Sequence, residues 1–213
     1  MLQSPKKTLA KYIPIESLDK VSEMLSQGSV RLIIHRARNT KLGDFRCSSP
    51  RRIATISVNG NLNVYAFLIV FLHEYAHWQV YARFGHKVEP HGIEWKQAFG
   101  WLLRHFCALQ CFHPVLRDAI EEYSLDVSAA GLGSPKLQRL LAMFDPELES
   151  AQLKKFLEDL PMNALFVASN GMTFRKEEKL RKRYRCLCMN TQRRYLFQPM
   201  ASVVPIDHHH NKS

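Results

Sequence analysis

Residues 63–84 read as one long helix with almost no polar face, and His73-Glu74-Tyr75-Ala76-His77 stands in its middle. A helix returns to the same face after four residues, so the two imidazoles point the same way and can close on one metal ion. Val70, Phe71, Leu72, Tyr75, Ala76, Trp78, Val80 and Tyr81 around them are almost all apolar. A helix that is apolar all round is buried, and buried imidazoles and carboxylates need partners. A metal supplies that partner, and Glu74 is placed to act on a water held there. The fold must therefore wrap this helix and bring a third ligand to it, leaving a fourth position open if the metal is a catalytic zinc.

The third ligand separates the subclasses of such enzymes. The pattern H-E-x-x-H-x-x-G-x-x-H requires glycine at 80 and histidine at 83, where this chain has Val80 and Arg83. A later glutamate (Glu94, Glu121 or Glu122) could serve, but none is singled out by spacing. His91 fits better. The helix stops near Gly85, Pro90 forces Glu89 toward an extended conformation, and His91 precedes a second helical run. That return can bring His91 back over the first helix. His86 follows the Gly85 stop directly and reads as a solvent-facing loop histidine.

The assembled residues resemble a known family. His73-Glu74-Tyr75-Ala76-His77-Trp78, Gly85-His86 and His91-Gly92-x-Glu94-Trp95 look like the SprT-like domain shared with the Spartan metalloproteases. Upstream, Arg36-Ala37-Arg38-Asn39-Thr40-Lys41-Leu42-Gly43-Asp44-Phe45 and Ile56-Ser57-Val58-Asn59 resemble the loop and strand that precede the family's active helix. The resemblance spans roughly residues 15–107. It implies a zincin-like α+β metalloprotease domain with one zinc per chain on His73, His77 and His91, and Glu74 as the catalytic residue. It also implies protein substrates, including DNA-bound ones. Many members close with a zinc ribbon of two cysteine pairs. Here Cys186-Leu187-Cys188 is the last close pair, so the tail resembles a variant with a small ribbonless β-module.

Five cysteines without framework spacing suggest free thiols in a reducing compartment. Cys107, Cys111, Cys186 and Cys188 read as small core residues. The N-terminus lacks the apolar stretch of a signal peptide, and no apolar run is long enough to span a membrane. The expectation is a soluble, cytoplasmic protein with no membrane partner.

The net charge of +11 is concentrated at two places. Residues 1–60 carry eleven Lys/Arg against four Asp/Glu, and residues 175–195 carry nine against two. In the second stretch Lys179, Arg181, Lys182, Arg183, Tyr184, Arg185, Arg193 and Arg194 mix cations with rings, followed by Tyr195 and Phe197. That mixture suits single- or double-stranded DNA, with cations on phosphates and rings on bases; a solvated basic loop is the plainer reading.

Periodicity predicts a helix over 15–25 ended by Gly28, strands over 30–37 and 53–58, and a loop over 42–52. Helices follow over 63–84, 92–111, 115–123 and 135–143, with irregular chain over 126–133. After Pro161 the texture turns to β, with five short strands over 164–168, 172–175, 183–189, 193–197 and 202–206, able to form a small barrel or curled sheet. The expected organisation is thus a metalloprotease domain over 1–160, a basic all-β module over 161–206 and a loose tail over 207–213.

The expected chemistry is hydrolysis of peptide bonds by a zinc-activated water, with Glu74 as general base. Tyr123, His113 and Arg104 are candidates to stabilise the oxyanion. Glu94 is placed either to orient a ligand histidine or to complement the dipole of its own helix. Two other readings stand beside this one. One is a nucleic-acid- or transcription-complex-binding protein with a structural zinc, against which Glu74 argues. The other is a zinc hydrolase acting on a different substrate.

Overall fold

Asn63 and Gly85 fix the two ends of the long helix. Asn63 Oδ1 accepts from the backbone N–H groups of Tyr65 and Ala66, satisfying two donors that a helix start leaves free. Gly85 takes a φ of 63°, which a residue with a Cβ resists, and its N–H closes on the Tyr81 carbonyl. The computed structural model describes residues 5–27, 30–38, 41–48, 53–128, 132–145 and 155–206. Among these the chain is mixed α+β, with six helices and two sheets, and it divides into two compact units, Met1–Pro146 and Glu147–Ser213.

The first unit runs α1 (Pro5–Leu9), a 3-10 turn (Ile15–Ser17), α2 (Leu18–Ser26), β1 (Val30–His35), β2 (Gly43–Arg46), β3 (Ala54–Asn59), α3 (Val64–Phe84), α4 (Ile93–Ala108), α5 (Pro114–Leu125) and α6 (Pro135–Ala142). Its sheet has the order β1-β3-β2, with β1 parallel and β2 antiparallel to β3. The central strand is nearly all buried, and α3 lies against the sheet on one side and α4 on the other. Phe67, Phe71, Leu68 and Leu72 of α3 are fully enclosed together with Ile56, Val58, Trp95, Phe99 and Phe106. The apolar surface of α3 is thus buried on several faces, as its composition requires.

Two local expectations change. The stretch 42–52, expected as loop, contains β2. Gly-Asp-Phe-Arg has neither alternation nor strong strand preference, and the strand exists because its backbone pairs with Ser57 and Thr55 of β3. Cys107 and Cys111 do not share a helix face, because α4 ends at Ala108 and Gln110 turns the chain with a φ of 57°. Both thiols are nonetheless buried. Gly28 and the tail 207–213 lie outside the described residues.

The second unit contains β4 (Lys155–Phe156), a 3-10 turn (Leu157–Asp159), β5 (Leu165–Val167), β6 (Thr173–Lys179), β7 (Tyr184–Cys188), β8 (Arg194–Phe197) and β9 (Ser202–Pro205). These form one sheet in the order β4-β9-β5-β6-β7-β8. Its beginning lies before the expected boundary at Pro161. Lys155 and Phe156 pair with Val203 and Ser202, and Leu157 and Leu160 are buried in this unit's core. The core is small and aromatic: the rings of Phe166, Phe174 and Phe197 meet at 4.8–5.7 Å, beside buried Tyr184, Cys186 and Cys188.

Lys176 is also inside, 2% exposed. Its Nζ donates to the carbonyls of Leu157 (2.8 Å), Glu158 (3.3 Å) and Leu160 (2.6 Å) and lies 4.0 Å from the Tyr184 ring centre. All three ammonium donors are used, which pins the 3-10 turn to β6. Among the described residues no helix is long and apolar enough to cross a membrane.

Candidate metal centre and the basic module

α3 brings His73 and His77 to one face with ring centres 5.1 Å apart. The turn after Gly85 returns His91 to them. His91 Nε2 is 3.1 Å from His77 Nε2, and one ligand atom from each of the three histidines lies within 4.8 Å of the others. Three histidines therefore lie together and could hold a metal ion. Tetrahedral zinc with Zn–N bonds of 2.0–2.1 Å separates its nitrogen ligands by about 3.4 Å, so the donor set fits that ion. Burial lowers the His73 imidazole to about 3, with His77 and His91 adding to the effect, and burial lowers His77 to about 4. Both rings are neutral at pH 7 and present lone pairs to a cation.

Trp95 is the support that sequence reasoning missed. It is fully buried, and its indole contacts all three histidine rings, at 4.7 Å (His73), 5.3 Å (His77) and 4.7 Å (His91). Its Nε1–H points to the His73 carbonyl at 3.4 Å. The position was legible as part of His91-Gly92-x-Glu94-Trp95, since α4 starts directly after His91 and places residue 95 one turn in.

The opposite wall is β2, the edge strand of its sheet. Gly43 makes the close approach possible: a Cβ there would stand 2.6 Å from Glu74 Oε1 and 2.7 Å from Val70 Cγ1. The cleft between β2 and the histidines measures about 560 Å³ and is lined by Lys41, Gly43, Asp44, Phe45, Glu74 and the three histidines, among others. Glu74 is 8% exposed. Burial pushes its carboxyl up to about 7 and Asp44 adds to this, while Lys41, Arg38 and the Phe45 backbone amide oppose it. Asp44 is itself pushed up by burial, but hydrogen bonds and charge from Lys41 and Arg46 outweigh that and hold it below its ordinary value. Arg38 and Asn59 anchor the segment that enters β2. Arg38 Nε donates to Asn59 Oδ1 at 2.8 Å, and Asn59 Nδ2 donates to the carbonyls of Arg38 and Lys41.

The other sequence candidates lie elsewhere. Among the described residues no hydrogen bond joins Glu94 to a histidine of the cluster. Its carboxylate instead folds against the Gly92 backbone in the first turn of α4, the dipole-complementing position. Glu121 is exposed, and Glu122 is bound to Lys136. His86 is exposed against the Tyr81 ring. The three oxyanion candidates are committed to other work: Tyr123 Oη donates to the Ser128 carbonyl, Arg104 donates to Ser124, and His113 caps α5. None of them lines the cleft.

In the second unit the basic run separates into two groups. Tyr184 is buried under Lys176 and is not available to stack on a base, which corrects its place among the nucleic-acid candidates. The cause is strand alternation: Tyr184, Cys186 and Cys188 share the inner face of β7. Arg185 pairs with Glu178, and Arg194 pairs with Glu177 at 2.9 Å. Lys179, Arg181, Lys182, Arg183 and Arg193 are exposed and, among the described residues, unpaired with any carboxylate. Arg181–Arg183 occupy the tight turn between β6 and β7, closed by the Leu180 N–H on the Arg183 carbonyl at 2.7 Å.

Comparison of the chain with known protein families, with curated proteins and with solved structures finds no match.

Proposed function

We propose that the chain is a zinc-dependent peptidase of the SprT-like type, with a zincin-like catalytic unit and a second unit that contacts nucleic acid. The observation that carries the first part is the convergence of three imidazoles and one buried carboxylate on a single cleft beside an edge strand. His73, His77 and His91 would hold the ion, and zinc there would supply Lewis acidity to acidify water and polarise a carbonyl. An extended peptide adds to the free side of β2, as chains commonly do at sheet edges. Glu74 then takes the proton of the attacking water and passes it to the leaving amine. A structural zinc has no use for that carboxylate, which favours the hydrolase over a binding protein with a structural metal.

The nucleic-acid part rests on Lys179, Arg181, Lys182, Arg183 and Arg193. Five exposed cations that have no carboxylate partner among the described residues are what phosphate binding needs. Together with the family resemblance, they support DNA-associated proteins as substrates.

The test is metal content and cleavage of casein by the purified protein, with and without single-stranded DNA. His91→Ala is expected to release most of the zinc, whereas His86→Ala retains it. Full zinc occupancy in His91→Ala removes that ligand from the scheme. Absence of cleavage under every condition, with zinc bound, favours the binding-protein reading.

A further inference from the structure

The metal cleft does not end at the histidines. A second cavity of about 830 Å³ opens on the far side of His77, and the two share Phe45, His77 and Pro90. The metal cleft carries Lys41, Asp44 and Glu74. Val80 and Tyr81 of α3 are buried where they line the second cavity, with half-buried Phe45 and Val88 beside them. Polar groups such as Arg46, His86 and Glu89 also line it and are exposed. Phe45 stands between the two spaces, stacked on His77 at 6.3 Å and tilted against Tyr81 at 5.8 Å.

Strand direction gives the second cavity a defined place along a bound peptide. β2 runs from Gly43, which touches Glu74, toward Arg46, which lines the second cavity. A peptide added antiparallel to β2, the commoner arrangement, runs the opposite way. Its residues N-terminal to the bond at Glu74 then pass over the second cavity.

We propose that this cavity, between the end of β2, the last turns of α3 and the loop through Val88, is the specificity pocket for a large apolar side chain of the substrate, leucine or phenylalanine, on the N-terminal side of the cleaved bond. The inference rests on the peptidase reading above and names its substrate class. Full burial of such a side chain is worth about 1.5–3 kcal/mol, about ten- to a hundredfold in affinity or kcat/KM.

Two measurements test it. Casein cleavage products mapped by mass spectrometry identify the residues preceding the cuts, and peptides differing only there (Gly, Leu, Phe, Glu) give kcat/KM ratios. The same peptides, fluorescein-labelled, are titrated onto zinc-loaded Glu74→Gln protein by anisotropy. We expect Leu and Phe to exceed Gly by about tenfold or more in both, and Val88→Trp, which fills the pocket, to bring the ratio close to one while zinc content is retained. Thr55→Phe narrows the same pocket from the sheet and replaces Val88→Trp if that variant does not fold. Cleavage without an apolar preference, or a ratio unmoved by the filled pocket, overturns the pocket alone. Selective binding by Glu74→Gln, lost on filling, with no hydrolysis by wild type, keeps the pocket and overturns the peptidase reading. Neither binding nor cleavage overturns both.

Discussion

Each unit of this chain buries an ionisable side chain, and the two are treated in opposite ways. Lys176 is 2% exposed and has every donor matched to a carbonyl, with an aromatic face beside it. Glu74 is 8% exposed, stands beside a second carboxylate, and has one backbone amide and two more distant cations to offset it. A buried charge with all partners in place is a peg, since moving it exposes unsatisfied groups on both sides. A buried charge with partners missing can change its bonding during a reaction. The second unit uses burial to fix a turn; in the first, on the function proposed above, it keeps Glu74 ready to accept a proton.

The contrast can be broken by substitution, taken from the largest effect to the smallest. Glu74→Gln is nearly isosteric and cannot accept a proton. Hydrolysis should fall on the order of 10²–10⁴-fold while zinc content and thermal stability hold, as read by peptide turnover, elemental analysis and calorimetry. Lys176→Met keeps the stem but takes the ammonium donor from three carbonyls, of which that of Leu157 keeps a backbone donor. The second unit should lose about 2–4 kcal/mol, visible as faster hydrogen exchange in β5–β7 with the zinc site unaffected. If Glu74→Gln destabilises the protein as much as Lys176→Met destabilises the module, the distinction between peg and poised group fails. Gly43→Ala forces β2 away from Glu74, and kcat/KM should drop about ten- to a hundredfold at full zinc occupancy. Tyr184→Phe should leave DNA affinity unchanged in anisotropy titrations with a labelled single strand, because the ring faces inward. Reversing the charge of Arg181, Lys182 and Arg183 should weaken that binding and flatten its salt dependence. A Tyr184→Phe variant that binds less tightly would falsify the division of the basic run into buried and exposed groups.

The central helix and its pair of facing histidines were legible because a four-residue repeat inside an apolar run has few alternatives. The return of His91 was legible from Gly85 and Pro90, which limit where the chain can go. β2 was not, because nothing in Gly-Asp-Phe-Arg marks a strand. It is made by its partner β3, and a pairing between distant segments leaves no local trace. The same holds for Lys176. Within Arg175-Lys176-Glu177-Glu178-Lys179 it looks like any solvated lysine, and its burial depends on the carbonyls of residues 157–160. Tyr184 was misplaced for a related reason: a run of cations draws attention to charge, while the two-residue period of a strand decides which side chains face in. The five C-terminal strands were readable from turn residues, but β4 was not, being two residues long and paired only with the far end of the chain.

Trp95 has a practical consequence. Of the three tryptophans, Trp101 is half exposed on α4 and stacks on His105, and Trp78 packs on Tyr75. Trp95 alone contacts all three histidines. Its emission is therefore a built-in gauge of what occupies the site. A coloured ion such as Co²⁺ loaded there should quench a buried, blue-shifted component and leave the Trp101 signal in place, so metal exchange can be timed in the unlabelled protein by stopped-flow fluorescence.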